Sequence, residues 1–169
     1  MCAVVAVLHD SVSAERVLPV ACALARATDV PLYAVDVSIL SWLLSPECIS
    51  WMWAVNLGQN DAAIDNRCQQ ASIDYGIQIS LRRVIEKPLL SVVQILTDVN
   101  AQSVIIGGTL QCTRRSAWLR RATIRYPGEL ATELRQSPRS WALTVVSPNG
   151  LIREFAAQTG VRRYGGRWA

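Results

Sequence analysis

Residues 3–13 read AVVAVLHDSVS. Six apolar residues in a row, Ala3 to Leu8, suit a strand buried on both faces, and a polar pair, His9-Asp10, closes the run. Ser11 and Ser13 then offer helix N-caps before Val17, Val20, Ala21 and Leu24, which are spaced along one helical face. Pro19 falls inside that helix and predicts a later start or a kink. The run Val30 to Val37 (VPLYAVDV), bounded by turn residues, reads as a second buried strand. Strand, helix and strand in this order imply parallel pairing, because an antiparallel pair needs no crossover of that length.

The alternation continues. A helix is predicted from near Asn60 or Asp61, with Ile64, Cys68, Ala71 and Tyr75 on one face and Gly76 past its end. Ile77, Ile79 and Leu81 alternate as in a half-exposed strand at a sheet edge, and Pro88 opens a helix with Leu89, Val92, Val93 and Leu96 inward. Ser103 to Ile106 is a fourth strand, followed by Gly107-Gly108. Gly128 to Gln136 is a short helix, and Trp141 to Val146 a fifth strand. The predicted fold is α/β, a five-stranded, mostly parallel sheet with helices on both faces, as in Rossmann-like three-layer sandwiches. Ligands of such sheets bind beyond the carboxyl ends of the strands where the strand order reverses, here between His9-Asp10 and Gly107-Gly108.

The chain has 169 residues, 51% of them hydrophobic, which suits one domain. That domain is expected over residues 1–148, with an Arg-rich insertion at 109–127 and a basic tail at 149–169. No run approaches the roughly 20 apolar residues of a membrane span, and no basic stretch precedes the first strand as in a signal peptide, so a cytoplasmic location is expected. The five cysteines lack metal-ligand spacing and there is one histidine, so a zinc site is not expected and the thiols read as small hydrophobes. The net charge of +4 is unevenly placed. Residues 1–106 carry six basic and ten acidic side chains, and residues 107–169 carry eleven Arg against three Glu. Such asymmetry points to an anionic ligand, nucleic acid or acidic partner near the C-terminal third.

Several of these features together resemble the universal stress protein family over residues 3–147. They are a first strand ending in Asp10 before Ser11-Val12-Ser13, a second ending in Val35-Asp36-Val37, and the approach Ile105-Ile106-Gly107 followed by a helix, a proline and the strand ending Val145-Val146. The resemblance implies a cofactor-binding set of Asp10, Val37, Gly107, Gly108 and Gly128, with Asp10 contacting an adenosine moiety; Asp10 reads equally as the cap of the first helix. ATP-binding members carry Gly-x2-Gly-x9-Gly-Ser/Thr after the fourth strand. Here Gly107 fits the first glycine, Leu110 occupies the second place, and Gly128 arrives about eight residues late, followed by Glu129. A leucine there blocks close backbone approach, and a carboxylate at a helix N-terminus repels phosphate.

The expectation is therefore a non-enzymatic regulatory or binding domain that does not bind ATP in the usual way and has no cofactor. The alternatives are an ATP- or AMP-binding stress protein that holds phosphate with Arg114, Arg115 and their neighbours Arg120, Arg121 and Arg125, and a domain that docks on a transporter, sensor or nucleic acid. The Arg segment reads equally as a solvated or partner-facing surface. No nucleophile–base pair is evident, and His9 beside Asp10 lacks a nucleophile. The Trp-rich stretch 39–58, with Trp42, Trp51 and Trp53, reads as an oligomer interface, a lid over the crevice or a membrane-surface contact; the interface is favoured, since aromatic residues are enriched in interface cores and the family resemblance implies a homodimer, which would bury this stretch or the last strand, Trp141 to Val146.

Overall fold

The computed structural model describes residues 2–37, 51–84, 88–108, 127–136 and 139–158. Its elements follow the order β1 (Ala3–Leu8), α1 (Ser11–Thr28), β2 (Leu32–Val37), α2 (Trp51–Tyr75), β3 (Ile79–Val84), α3 (Pro88–Asp98), β4 (Ala101–Gly107), α4 (Pro127–Gln136), β5 (Ala142–Val146) and β6 (Ile152–Phe155). One sheet runs β3-β2-β1-β4-β5-β6, parallel through β5 and antiparallel at β6. As the alternation of Ile79 and Leu81 predicts, β3 lies at an edge.

Strands β1 to β5 feed two cores. Val5 and Val7 of β1 pack with Val92 and Leu96 of α3 and with Leu130 and Leu134 of α4. Val4, Ala6 and Leu8 face the other way, toward Val17 and Ala21 of α1 and Ile64 and Cys68 of α2. A strand sandwiched between helix layers must be apolar at every position, which is why β1 reads as an unbroken run. The thiols of Cys22 and Cys68 are pushed up by burial to about 11 and about 12, so both stay protonated core groups.

Three expectations need correction. The sheet has six strands, not five: Ile152–Phe155, inside the stretch read as a basic tail, pairs antiparallel with β5 through Val146↔Ile152 to Leu143↔Phe155. Its mixed sequence, Ile-Arg-Glu-Phe, has no apolar run to announce it, and it is held instead by a tight turn and by Arg139. The buried Arg139 guanidinium donates to the Ala156 carbonyl at 3.0 Å and lies 5.7 Å over the Trp141 ring, tying the end of α4 to the chain beyond β6. It follows that β5 is paired on both sides and has no open edge to offer a second copy.

Second, α2 begins at Trp51 rather than near Asn60. Asn60-Asp61 imitates an N-cap, but no proline interrupts residues 47–87, so nothing stops the helix upstream. Trp51 and Trp53 fall in its first turn; Trp42 and residues 39–50 lie outside the described residues. Third, α1 runs through Pro19 from Ser11. The lost backbone hydrogen bond is outweighed by the buried face of Val17, Leu18, Ala21 and Cys22 on either side of it. At the far end of α2, Gly76 has φ +62, the left-handed turn for which glycine suits a helix terminus. No helix among the described residues is long and apolar enough to cross a membrane.

Candidate functional site

Strand order reverses between β1 and β4, because β2 and β3 lie on one side of β1 while β5 and β6 lie beyond β4. The carboxyl ends of these two strands open a cavity of about 140 Å³. His9 and Asp10 leave β1 into it, Gly107 and Gly108 leave β4, and Val146 and Pro148 close the β5 side. Val12, Ser13 and Arg16 of α1 complete the lining. A larger open concavity, about 730 Å³, lies at the amino ends of β2 and β3, around the C-terminal ends of α1 and α2. It gathers neither a strand carboxyl end nor a helix N-terminus, the two features that hold ligands in open parallel sheets.

The loop from β1 into α1 is built around one hydroxyl. Asp10 is the N-cap of α1 in extended backbone (φ −159, ψ 173), and its carboxylate accepts from the Ser13 N–H at 2.6 Å. Ser13 Oγ accepts from the backbone N–H groups of His9 at 2.9 Å and Asp10 at 3.1 Å, and donates to the Asp10 carbonyl at 2.9 Å. This capping box satisfies donors that would otherwise be orphaned at the helix start. Of the two readings of Asp10, the cap is present; the residue also belongs to the cavity lining.

The two glycines have structural duties too. A Cβ on Gly107 would stand 3.1 Å from Ser13 Cβ and 3.4 Å from Val17 Cγ2, so glycine lets α1 lie close over the end of β4. The Gly108 N–H donates to the Val146 carbonyl at 3.0 Å. His9, 2% exposed, belongs to the cavity lining, and its Nε2, itself buried, has no hydrogen-bond partner among the described residues. Burial holds the imidazole down at about 4, against the pull of the Asp10 carboxylate and of a hydrogen bond with the Gly107 backbone, so it is neutral at physiological pH.

A second polar cluster lies one strand over. Asp36 of β2 is 1% exposed, aligned with Leu8, and neither of its oxygens has a hydrogen-bond partner. Arg83 of β3 forms an ion pair with it, Nε to Oδ2 at 3.7 Å, but that guanidinium donates to both oxygens of Asp65 at 2.6 Å. Desolvation first, then the Asp61 charge, raises the Asp36 carboxyl to about 6, the Arg83 attraction notwithstanding. Among the described residues, Asp36 is thus held at the strand end by an ion pair and not by a hydrogen bond.

Of the residues singled out in the sequence, the fold brings together Asp10, Gly107 and Gly108. Val37 ends β2 with its side chain buried in the core shared with α3 and α4, away from the cavity lining. Gly128 is the second residue of α4. Arg114 and Arg115, with the rest of the Arg-rich stretch, lie outside the described residues. Sequence reasoning missed Arg16, Val146 and Pro148. The signal for Arg16 is its place one turn beyond Ser13 on α1, and β5 was passed over although its carboxyl end belongs to the same edge. Among the described residues no group of His, Cys, Asp and Glu is arranged to hold a metal ion.

No protein-family model matches the chain, and no curated protein sequence matches it. Solved structures do match. A universal stress protein in complex with cAMP aligns over 86% of this chain and 96% of its own, with a TM-score of 0.54 at 18% identity. A universal stress protein family protein from Arabidopsis thaliana with AMP bound covers 87% and 92%, with a TM-score of 0.48 at 12% identity. A universal stress protein from Archaeoglobus fulgidus in complex with dAMP covers 63% and 80%, with a TM-score of 0.45 at 24% identity.

Proposed function

From the premise that the chain has the universal stress protein fold, carried by the alignment over 86% of its length, we propose that it is a non-enzymatic binding domain. In this reading it regulates in the cytoplasm as a homodimer and does not hold ATP in the usual way. The observation that carries the reading is the state of the two glycines after β4. A phosphate cradle needs backbone N–H groups turned outward and room beside them. The Gly108 N–H is committed to Val146, and Gly107 is fitted against Ser13. The cavity of about 140 Å³ also falls below the roughly 300–1,000 Å³ typical of small-molecule pockets. Among the described lining residues around His9 and Asp10, the one hydroxyl, that of Ser13, is bonded to the backbone of His9 and Asp10 and has no base beside it, so no reaction is assigned.

Mass spectrometry of small molecules released from the purified protein tests this. The expected result is no stoichiometric ATP, and ATP recovered at one per chain would overturn the reading. A second reading is favoured by the cAMP complex of the aligned universal stress protein. In it an adenine nucleotide binds with Arg114 and Arg115 taking the phosphate, since guanidinium makes bidentate contacts to phosphate oxygens. It requires that replacing both by Ala weaken AMP or cAMP binding and flatten its salt dependence together.

A further inference from the structure

Asp36 is 1% exposed near the carboxyl end of β2, and among the described residues neither of its oxygens accepts a hydrogen bond. It stands directly beside Arg83 in the parallel β2–β3 register. Alternation from Leu32 and Ala34 turns it to the face of the sheet that Ile64 and Cys68 of α2 cover. Asp61 and Asp65 share that stripe of α2, since positions 61, 64, 65 and 68 fall on one helical face. Arg83 Nε lies 3.7 Å from Asp36 Oδ2, within reach of an ion pair, while Nη2 donates to both Asp65 oxygens at 2.6 Å. A sheet carboxylate and a helix carboxylate thus compete for one guanidinium. We propose that Asp36, Arg83 and Asp65 form a proton-operated latch between the sheet and α2: with Asp36 protonated, Arg83 belongs wholly to Asp65 and α2 seats firmly, and with Asp36 ionised, Arg83 is shared and the seat loosens.

The arrangement of charge gives the latch its direction. Ionised, Asp36 sets a third carboxylate against the two on α2 with one guanidinium among them, so repulsion acts across the contact between helix and sheet. A proton on Asp36 removes that repulsion and ends the competition for Arg83. Asp36 is the acid that takes the proton, because a carboxylate that is desolvated and has no hydrogen bond is poorly stabilised. Burial first, then the Asp61 charge, raises it to about 6 against the attraction of Arg83, so the latch changes state just below neutral pH. The other groups that face Asp36 are neutral: Leu8 is its neighbour on β1, and the thiols of Cys22 on α1 and Cys68 on α2 are held protonated by burial. Arg82 lies over the Tyr33 ring, and Arg67 of α2 pairs with Glu15 of α1 at 3.6 Å. His9, buried at the end of β1, stays neutral through the same step.

The full chain, labelled with ¹³C and ¹⁵N, is titrated between about pH 8 and about pH 4 while the Asp36 carboxyl carbon and the Arg83 Nε–H are followed by NMR. The expected result is one shared step with its midpoint at about 6, absent from the Arg83 signal in Asp36→Asn. Asp65→Asn, at a half-exposed side chain, frees Arg83 for Asp36 and lowers the midpoint by about one unit or more, and Arg83→Gln raises it. At neutral pH, amide exchange in α2 from Asp61 to Cys68 is about tenfold slower in Asp36→Asn, which lacks the charge, than in wild type. An Asp36 step at the ordinary carboxylate value, an Arg83 signal blind to that step, or a midpoint unmoved by Asp65→Asn would each overturn the latch. Equal α2 exchange in wild type and Asp36→Asn would overturn it too. If Arg83→Gln does not fold, Asp65→Asn decides.

Discussion

The backbone N–H of Gly108 donates to the carbonyl of Val146 at 3.0 Å, carrying the β4–β5 ladder one step beyond Gly107↔Val146. The residue where a phosphate loop would turn its amides outward is thereby stitched into the sheet. The preceding glycine is fixed from the other side, with α1 so close that a Cβ would meet Ser13 Cβ at 3.1 Å. Gly108 thus joins β4 to β5, and Gly107 lets α1 lie close over the end of β4.

Gly107→Ala should therefore destabilise the fold in the absence of any ligand. The added methyl must push Ser13 and Val17 away, and overpacking of this kind costs about 1–3 kcal/mol. Chemical denaturation checks it: the midpoint should fall at unchanged slope, and an unchanged midpoint would mean that α1 can move off β4 freely.

Asp10→Ala should lower stability by about 1 kcal/mol, because it removes the acceptor for the Ser13 N–H and opens the capping box. Asp10→Ser should restore most of the loss, since a serine hydroxyl caps in the same way. If neither substitution shifts the melting temperature, the carboxylate's contribution is to ligand rather than to helix.

His9 and Asp36 pull the pH dependence of stability in opposite directions. His9 titrates near 4 when folded against 6.5 unfolded, so as pH falls through that window the unfolded chain takes up the proton first and stability is lost. Asp36 titrates near 6 when folded against 3.8 unfolded, so over the same window the folded chain takes up the proton first and stability is gained. Each effect amounts to about 3 kcal/mol and they largely cancel, leaving a flat profile. Asp36→Asn should stabilise the protein at pH 7 by about 1–3 kcal/mol and expose the His9 slope, with stability then falling as pH drops from about 6.5 to 4. Denaturant melts of both proteins across that range decide it, and a variant less stable than wild type at pH 7 would show that the Arg83 pair outweighs desolvation.

Self-association is expected without use of β5, whose two edges are taken by β4 and β6. The other stretch predicted from the sequence to be buried is the Trp-rich one that includes Trp51 and Trp53. Sedimentation should find a dimer that Trp51→Arg with Trp53→Arg converts to monomer; a wild-type monomer at high micromolar concentration would contradict it.

The sheet was legible because its signals are local. An unbroken apolar run such as Ala3 to Leu8 can lie only between two helix layers, and Gly76 and Pro88 mark helix ends through backbone conformations that few other residues share. β6 was hidden because a short edge strand half in solvent needs no apolar pattern, and its anchor, Arg139, is a residue type that composition assigns to the surface. At the site, Asp10, Gly107 and Gly108 followed from strand ends alone. The roles of His9 and Arg16 did not, because burial of a polar group and the face a helix turns toward a neighbouring strand are set by packing between elements distant in the chain.

Titration calorimetry with ATP tests the account most directly. Losing a glycine and a hydroxyl from the phosphate loop removes contacts worth about 1–3 kcal/mol each, and the committed Gly108 amide offers no replacement. The account predicts a dissociation constant of about a millimolar or weaker. A micromolar constant that survives replacement of Arg114 and Arg115 by Ala would contradict it.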